Sequence, residues 1–433
     1  MAEIFNISQS KPSMAISIFC GVAKTNDNLI DQIGGLNYIL PWQTHIFADN
    51  SPNLSYDEST WDKSINTVKE LSEFYYPSFI NCLIPSEENT DPYVKQIKSY
   101  TIPLKKLFII KQKSITIDYL DLFFFPENHL VYCFKCDLTH FSLNEIVEIN
   151  NELRELKINK LDFLADILQR ICIPESYIMG NKLKLFMVLE HTIKFDESYG
   201  ADNILYELGT CSPIGTSIGI GPASRLMPSQ PFFQQTILQN KISVFENWSA
   251  LCLFDTFTLL HRGEVYRFNW EFRYFRFLYI HSIFIKSYLG EINKEFYLNT
   301  KNRNLANVFF DFNKHFNLKQ ISYNFLPQLI YEKIRHGLNV ELELNDISTL
   351  IEQDYFKKQE KRQIQESENE KRTNRALFIV AILTVFSAVW DGSELFEAAL
   401  KIERGIFFSS FSLLALVLVY LGIYYFLKKK KQI

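Results

Sequence analysis

Two cysteines spaced as in a zinc site are the first residues with the chemistry for a functional site. Cys133 and Cys136 form a CxxC, and His140 follows closely. A tetrahedral zinc site needs four ligands, but the chain has no second CxxC. The pair also lies in a strand-like stretch, where residues three apart point to opposite faces of a sheet. The sequence therefore favours structural thiols and leaves the metal ligands, if any, unknown.

Two further groups have the chemistry to bind an anion such as a phosphate. In the stretch GTSIGIG, the glycines Gly215, Gly219 and Gly221 would let backbone amides approach a ligand closely. Arg273 and Arg276 lie on one face of a predicted helix and could pair with an anion. The glycines match neither standard phosphate-loop spacing. An ordinary loop and a structural salt bridge remain the alternatives for the two groups.

Residue types and composition argue against an enzyme, a nucleic-acid-binding protein and a disulfide-stabilised protein. No nucleophile with a nearby base and no carboxylate pair stands out, so the sequence does not support an enzyme. The net charge of −4 argues against a general nucleic-acid-binding surface, because such proteins usually carry a clear basic excess. The seven scattered cysteines favour a reducing compartment over a disulfide framework.

Two apolar runs near the C-terminus predict transmembrane helices. Residues 376–390 and 405–427 contain no charged side chain, and about 20 apolar residues are needed to cross the hydrocarbon core. The second run is long enough. The first needs its neighbours and snorkelling by Arg375 to span. The alternative is that both runs are buried helices of a soluble core.

Basic residues flank the two runs on their outer sides and predict the orientation. Lys371, Arg372 and Arg375 precede the first run, and four lysines at 428–431 follow the second. The loop between the runs, residues 391–404, holds four acidic residues against two basic ones. The excess of Lys and Arg predicts a multi-pass protein of the inner membrane with both termini in the cytoplasm. The four lysines would also meet anionic headgroups.

The remaining segments predict an α/β cytosolic domain followed by a helical region. Alternating and apolar patterns predict four strands, of which the last two form a hairpin, and the helix at 62–76 would pack on them. The predicted strands are 15–20, 107–111, 115–125 and 130–136. These lie in an α/β domain at 1–145. A helical cytosolic region follows at 146–343, with a core helix at 266–289.

One long helix is predicted to connect the cytosolic part to the membrane. No Gly or Pro occurs between Asn345 and Trp390, which predicts a helix of about 45 residues and about 67 Å. Its stalk would cover 344–375, and a two-helix transmembrane hairpin with a basic tail would cover 376–433. A disordered tether of the same composition is the alternative to the stalk.

The polar residues of the first span share one face of this helix. At about 100° per residue, Glu366, Glu370, Thr373, Leu377 and Asp391 all lie within about 40° of Thr384. Polar groups in lipid turn toward partners or water, and a two-helix hairpin cannot enclose water, so a pore would need several copies. In such a pore, rings of Asp391 outside and of Glu366 and Glu370 inside would concentrate cations. Leu377 would form a hydrophobic gate. The predicted pore-lining residues are Glu366, Glu370, Thr373, Leu377, Thr384 and Asp391. Alternatively, Thr384 bonds only to its own backbone and Asp391 is an interfacial loop residue.

This architecture resembles that of the CorA-type metal-ion transporters. The stretch IDYLDLFFFPENHLVYCF is similar to the N-terminal strand pair of that superfamily, and ENEKRTNRALFIVAILTVFSAVW is similar to its stalk and first span. The resemblance implies a pentamer-like funnel in the cytosol, with the first span lining the pore. The family's Gly-Met-Asn signature, which selects hydrated magnesium, is replaced here by Trp390, Asp391, Gly392 and Ser393.

Divergent members of this superfamily without the signature include membrane effectors associated with type III CRISPR systems. The resemblance then implies a channel that a nucleotide second messenger opens by binding the cytosolic part, in antiviral defence. Two alternatives stay open. One is a divalent cation transporter with an altered magnesium filter, in which the cation is the permeant or regulatory ion. The other is a membrane-anchored sensor or scaffold that conducts nothing.

Overall fold

The computed structural model divides the chain into two compact units, residues 1–349 and residues 350–433. The residues that it describes are 2–25, 40–41, 67–83, 89–155, 164, 167–168, 172, 182–192, 199–220, 224–263, 275–298, 305–400, 417 and 420.

A single sheet runs through the first unit. Across the described residues it has nine strands in the order β2-β3-β4-β5-β1-β6-β9-β8-β7. Neighbours are antiparallel except β6 and β9, which are parallel. The strands are β1 Met14–Lys24, β2 Leu40–Pro41, β3 Lys98–Ile110, β4 Lys113–Phe125, β5 His129–Asp137, β6 Lys184–Glu190, β7 Lys241–Phe245, β8 Trp248–Cys252 and β9 Thr256–His261.

Helices cover both faces of the sheet. Two of them, α4 and α5, share a core with β1 and β6 on one face, while α7 packs on the other, where Phe284 stacks on Phe125 at 4.0 Å between ring centroids. Residues 275–289 of α7 are therefore all buried. The helices are α1 Ala2–Gln9, α2 Thr67–Phe74, α3 Pro77–Asn81, α4 Leu143–Glu155, α5 Ala201–Thr210, α6 Gln230–Asn240, α7 Phe275–Leu298, α8 Leu305–His315, α9 Phe325–Gly337 and α10 Val340–Leu400.

The predicted α/β sheet and its hairpin are confirmed. The predicted strands 15–20, 115–125 and 130–136 lie within β1, β4 and β5, and the predicted strand 107–111 covers only the last four residues of β3. β4 pairs with β5 in antiparallel register. Glu127 and Asn128 in the connecting turn have positive φ angles of 61° and 60°, which favour a tight reversal of the chain. The predicted helix at 62–76 is present as α2 from Thr67 onward, and its first residues lie outside the described ranges.

The sheet continues across the boundary that the sequence suggested at residue 145. Residues 146–343, expected to be helical, contribute the four strands β6–β9. Of these, β6 pairs directly with β1, with Phe186 opposite Ile18. The reason is that a short apolar run such as KLFMVLE fits a buried strand or a buried helix equally well, and only its partner decides between them.

The predicted long helix is present and extends further than expected. α10 is unbroken over 61 residues. The loop prediction at 391–404 is wrong for residues 391–400, which are helical. Strong helix formers such as Glu, Leu and Ala outweigh the single Gly392 in this stretch. Of the second predicted span, only Val417 and Tyr420 are among the described residues.

Candidate functional site

The apolar segment of α10 has no buried residue among those that the structure describes. Among the described residues, α10 is the one helix long and apolar enough to cross a membrane, and none of its apolar segment is buried. Leu383 and Phe386 expose 63% and 60% of their side-chain area. In a soluble protein such a helix would normally bury one stripe against a core.

The predicted pore-lining residues lie on one continuous helix. Because α10 is unbroken from Val340 to Leu400, the six predicted residues share one face of the helix, as the helical period predicted. All six are exposed. One detail matches the alternative interpretation, since Thr384 Oγ1 donates to the Val380 carbonyl at 2.8 Å. Asp391 lies within the helix and is not in a loop.

The first turns of α10 are fixed to the first unit by buried side chains and two ion pairs. Val340, Leu344 and Ile347 are buried. Arg335 Nε donates to Glu341 Oε1 at 2.7 Å, and Lys286 Nζ lies 2.5 Å from Glu343 Oε1. The root of α10, residues 340–347, is thus held by both α9 and α7.

A buried polar chain continues from this root into the core. Arg335 donates to the Tyr331 hydroxyl at 3.0 Å, and that hydroxyl lies 3.2 Å from His281 Nδ1. Burial lowers the pKa of His281 to about 3. The imidazole therefore stays neutral and can accept a hydrogen bond from the Tyr331 hydroxyl. Sequence reasoning missed this chain because its members come from two helices, α7 and α9, and His281 lies 50 residues from Tyr331.

The glycine-rich loop is occupied by a carboxyl group of the chain itself, that of Glu207. Gly215 and Gly219 have φ angles of +97° and +74°, which leave Ser217 able to donate through its amide and its hydroxyl to Glu207 Oε1, at 2.8 and 2.6 Å. Tyr199 donates to the other carboxylate oxygen. Burial raises the pKa of Glu207. Gly221 lies outside the described residues.

Arg276 is a buried structural residue in this conformation. Its guanidinium lies 2.8 Å from Asp121 Oδ2 and donates to the Tyr119 hydroxyl at 2.8 Å. Thr101 Oγ1 donates to the other oxygen of Asp121 at 2.6 Å. Arg276 therefore ties α7 to β4 through a network that solvent does not reach. Arg273, its predicted partner in anion binding, lies outside the described residues.

The two cysteines of the CxxC point to opposite faces of the sheet. Cys133 Sγ lies 3.2 Å from Cys20 Sγ, whereas Cys136 belongs to the core on the other face, and His140 is exposed. All seven cysteines are free and buried. In the part of the chain that the structure describes, no group of three or more His, Cys, Asp or Glu side chains could hold a metal ion.

Comparison with protein-family models, with curated proteins and with solved structures finds no match to this chain. The resemblance to the CorA-type transporters therefore rests on the order of elements and the two sequence stretches quoted above.

Proposed function

We propose that this chain is a homo-oligomeric membrane channel of CorA-like build, in which α10 from each copy crosses the bilayer and lines a cation path. One observation supports this above the others. α10 is a single unbroken helix whose apolar part is unburied and carries one polar face.

The polar face explains why one copy would be insufficient. A helix with Thr384 and Asp391 on one side would expose polar groups to lipid if it stood alone, and a charged group costs up to about 3 kcal/mol at the centre of the bilayer. Association of several copies turns these groups toward water or one another. Rings of Asp391 and of Glu366 would then attract cations by charge.

The orientation in the proposal follows from the flanking charges. Lys371, Arg372 and Arg375 precede the apolar segment, and by the positive-inside rule this favours a cytoplasmic position for the first unit. The free and buried state of the cysteines is compatible with a reducing cytoplasm.

Oligomer mass in detergent and ion flux in liposomes test the proposal. We expect a mass of several protomers by light scattering, a cation flux that Asp391→Asn reduces, and a leak that Leu377→Ser increases. Ile379→Ser is the matched control, since Ile379 is also exposed but lies about 140° from Thr384. A monomeric chain, or flux that Asp391→Asn and Leu377→Ser leave unchanged, would refute the pore.

Two additions to the flux assay separate the possible modes of gating. Flux that begins only when a nucleotide is added would support a ligand-gated channel. Flux inhibited by millimolar magnesium would support a divalent cation transporter. Three members of the predicted anion site are among the described residues: Gly215, Gly219 and Arg276. All three already have partners within the chain. No residue is therefore proposed as a contact of the gating ligand.

A second candidate is a membrane-anchored sensor that conducts nothing. The hydrogen bond from Thr384 Oγ1 to the Val380 carbonyl favours it, because a hydroxyl satisfied within its own helix needs neither water nor a partner helix. A monomer or dimer in detergent with no flux would select this candidate.

A further inference from the structure

Two basic triplets with identical spacing occur on α10. Each triplet has two adjacent cations and a third three residues further on, and the two are 14 residues apart, or about 21 Å along the helix. All six side chains are exposed. The distal triplet is Lys357, Lys358 and Lys361, and the proximal triplet is Lys371, Arg372 and Arg375.

The proximal triplet lies on the side of α10 opposite the polar face. Taking Thr384 as zero and about 100° per residue, Lys371 falls at about 140° and Arg372 at about −120°. Arg375 falls at about 180° on the same scale. When the polar face points into an assembly, these three side chains therefore point outward.

The depth of the proximal triplet also matches a lipid surface. It ends immediately before Ala376, the first residue of the apolar segment, and covers about 6 Å along the helix axis. The interfacial layer of a bilayer is about 5–7 Å thick on each side. Glu368 lies on the same face, at about −160°, and offsets part of the charge, so the net charge there remains positive.

We propose that the proximal triplet binds the phosphate groups of anionic lipid headgroups in the leaflet where the apolar segment begins. This rests on the membrane-spanning part of the proposed function. Lys and Arg stems reach along apolar surface while their charged ends stay in the headgroup layer. The two arginines can also bind a phosphate through two parallel hydrogen bonds. Each cation near an anionic surface is worth about a fivefold change in affinity.

The distal triplet provides a matched control. The full chain is placed in nanodiscs of phosphatidylcholine with a minority of phosphatidylglycerol. Native mass spectrometry then measures how far phosphatidylglycerol is enriched among the retained lipids. We compare K371Q/R372Q/R375Q with K357Q/K358Q/K361Q, which removes the same charge at the same spacing. The basic residues at 428–431 are identical in both variants, so their contribution cancels.

We expect the proximal variant to lose enrichment by at least fivefold and the distal variant to keep it. The distal cations lie about 21 Å further along the helix, beyond two Debye lengths of about 8 Å at physiological salt. The charge-conserving variant R372K/R375K should retain most of the enrichment.

Equal loss in both triple variants, or loss in neither, would overturn lipid binding by the proximal triplet. Alkaline carbonate extraction of the unmodified chain is the independent check on the span. Release of the chain into the soluble fraction would overturn the proposed membrane span and this inference together. Retention in the membrane with no difference between the triplets would overturn only this inference.

Discussion

The buried ion pair between Asp121 and Arg276 allows the sharpest test of how the first unit is held together. The two side chains expose 0% and 1% of their area, and each makes one further hydrogen bond, Asp121 with Thr101 and Arg276 with Tyr119. Asp121→Ala leaves a guanidinium buried without its carboxylate. Arg276→Met leaves the carboxylate buried without its cation.

The size of the effect follows from that burial. Removing one partner of a buried ion pair costs about 3–5 kcal/mol, because the remaining charge is desolvated and uncompensated. The double variant removes both charges and should cost less than the sum of the two single changes. The exposed pair of Lys182 and Glu155, 55% and 52% exposed, is the control, since breaking it should cost about 0–1 kcal/mol.

Denaturant unfolding of the full chain in detergent measures these differences. We expect both single variants to unfold at clearly lower denaturant concentration, while Lys182→Gln unfolds close to the unmodified chain. If Arg276→Met left the free energy of unfolding unchanged, the structural role of Arg276 would be refuted. Arg276 would then again be a candidate for ligand binding. Additive effects in the double variant would show that the two groups do not act as a pair.

Two other predictions concern buried groups of the first unit. Burial raises the pKa of Glu207 above its usual 4.5, so the native state holds a proton that the unfolded state releases, and stability should fall as pH rises from 4.5 through the raised pKa. Glu207→Gln should remove that dependence, and an unchanged pH profile in unfolding experiments would contradict the assignment. All seven cysteines are buried, and burial raises the pKa of Cys172 to about 12. A maleimide should therefore label the folded chain far more slowly than the denatured chain, and equal rates would argue against this core.

The elements that follow from local sequence were predicted well. α10 could be predicted because no Pro interrupts its residues, only Gly392 lies among them, and helix propensity is a local property. The hairpin of β4 and β5 was predictable for a similar reason, since a short polar turn between two apolar runs brings them together.

The contents of the candidate anion site were not predictable. One hydrogen-bond partner of Arg276 is Tyr119, which lies 157 residues away along the chain. The carboxyl group of Glu207, on α5, accepts hydrogen bonds inside the glycine-rich loop. The spacing of the glycines gave no indication of this partner. The sequence offered glycines and arginines that could bind a phosphate, and it contained no signal that carboxylates of the same chain would occupy them.

The sequence by itself determined the long helix, its apolar segment and the angular position of its polar and basic faces, because each depends only on residue type and a helical period. The tertiary structure alone decided that β1 lies between β5 and β6, that Arg276 is buried with Asp121, and that Arg335 and Lys286 hold the root of α10. These contacts join residues far apart in the chain, and their formation depends on the packing of the whole sheet and its helices.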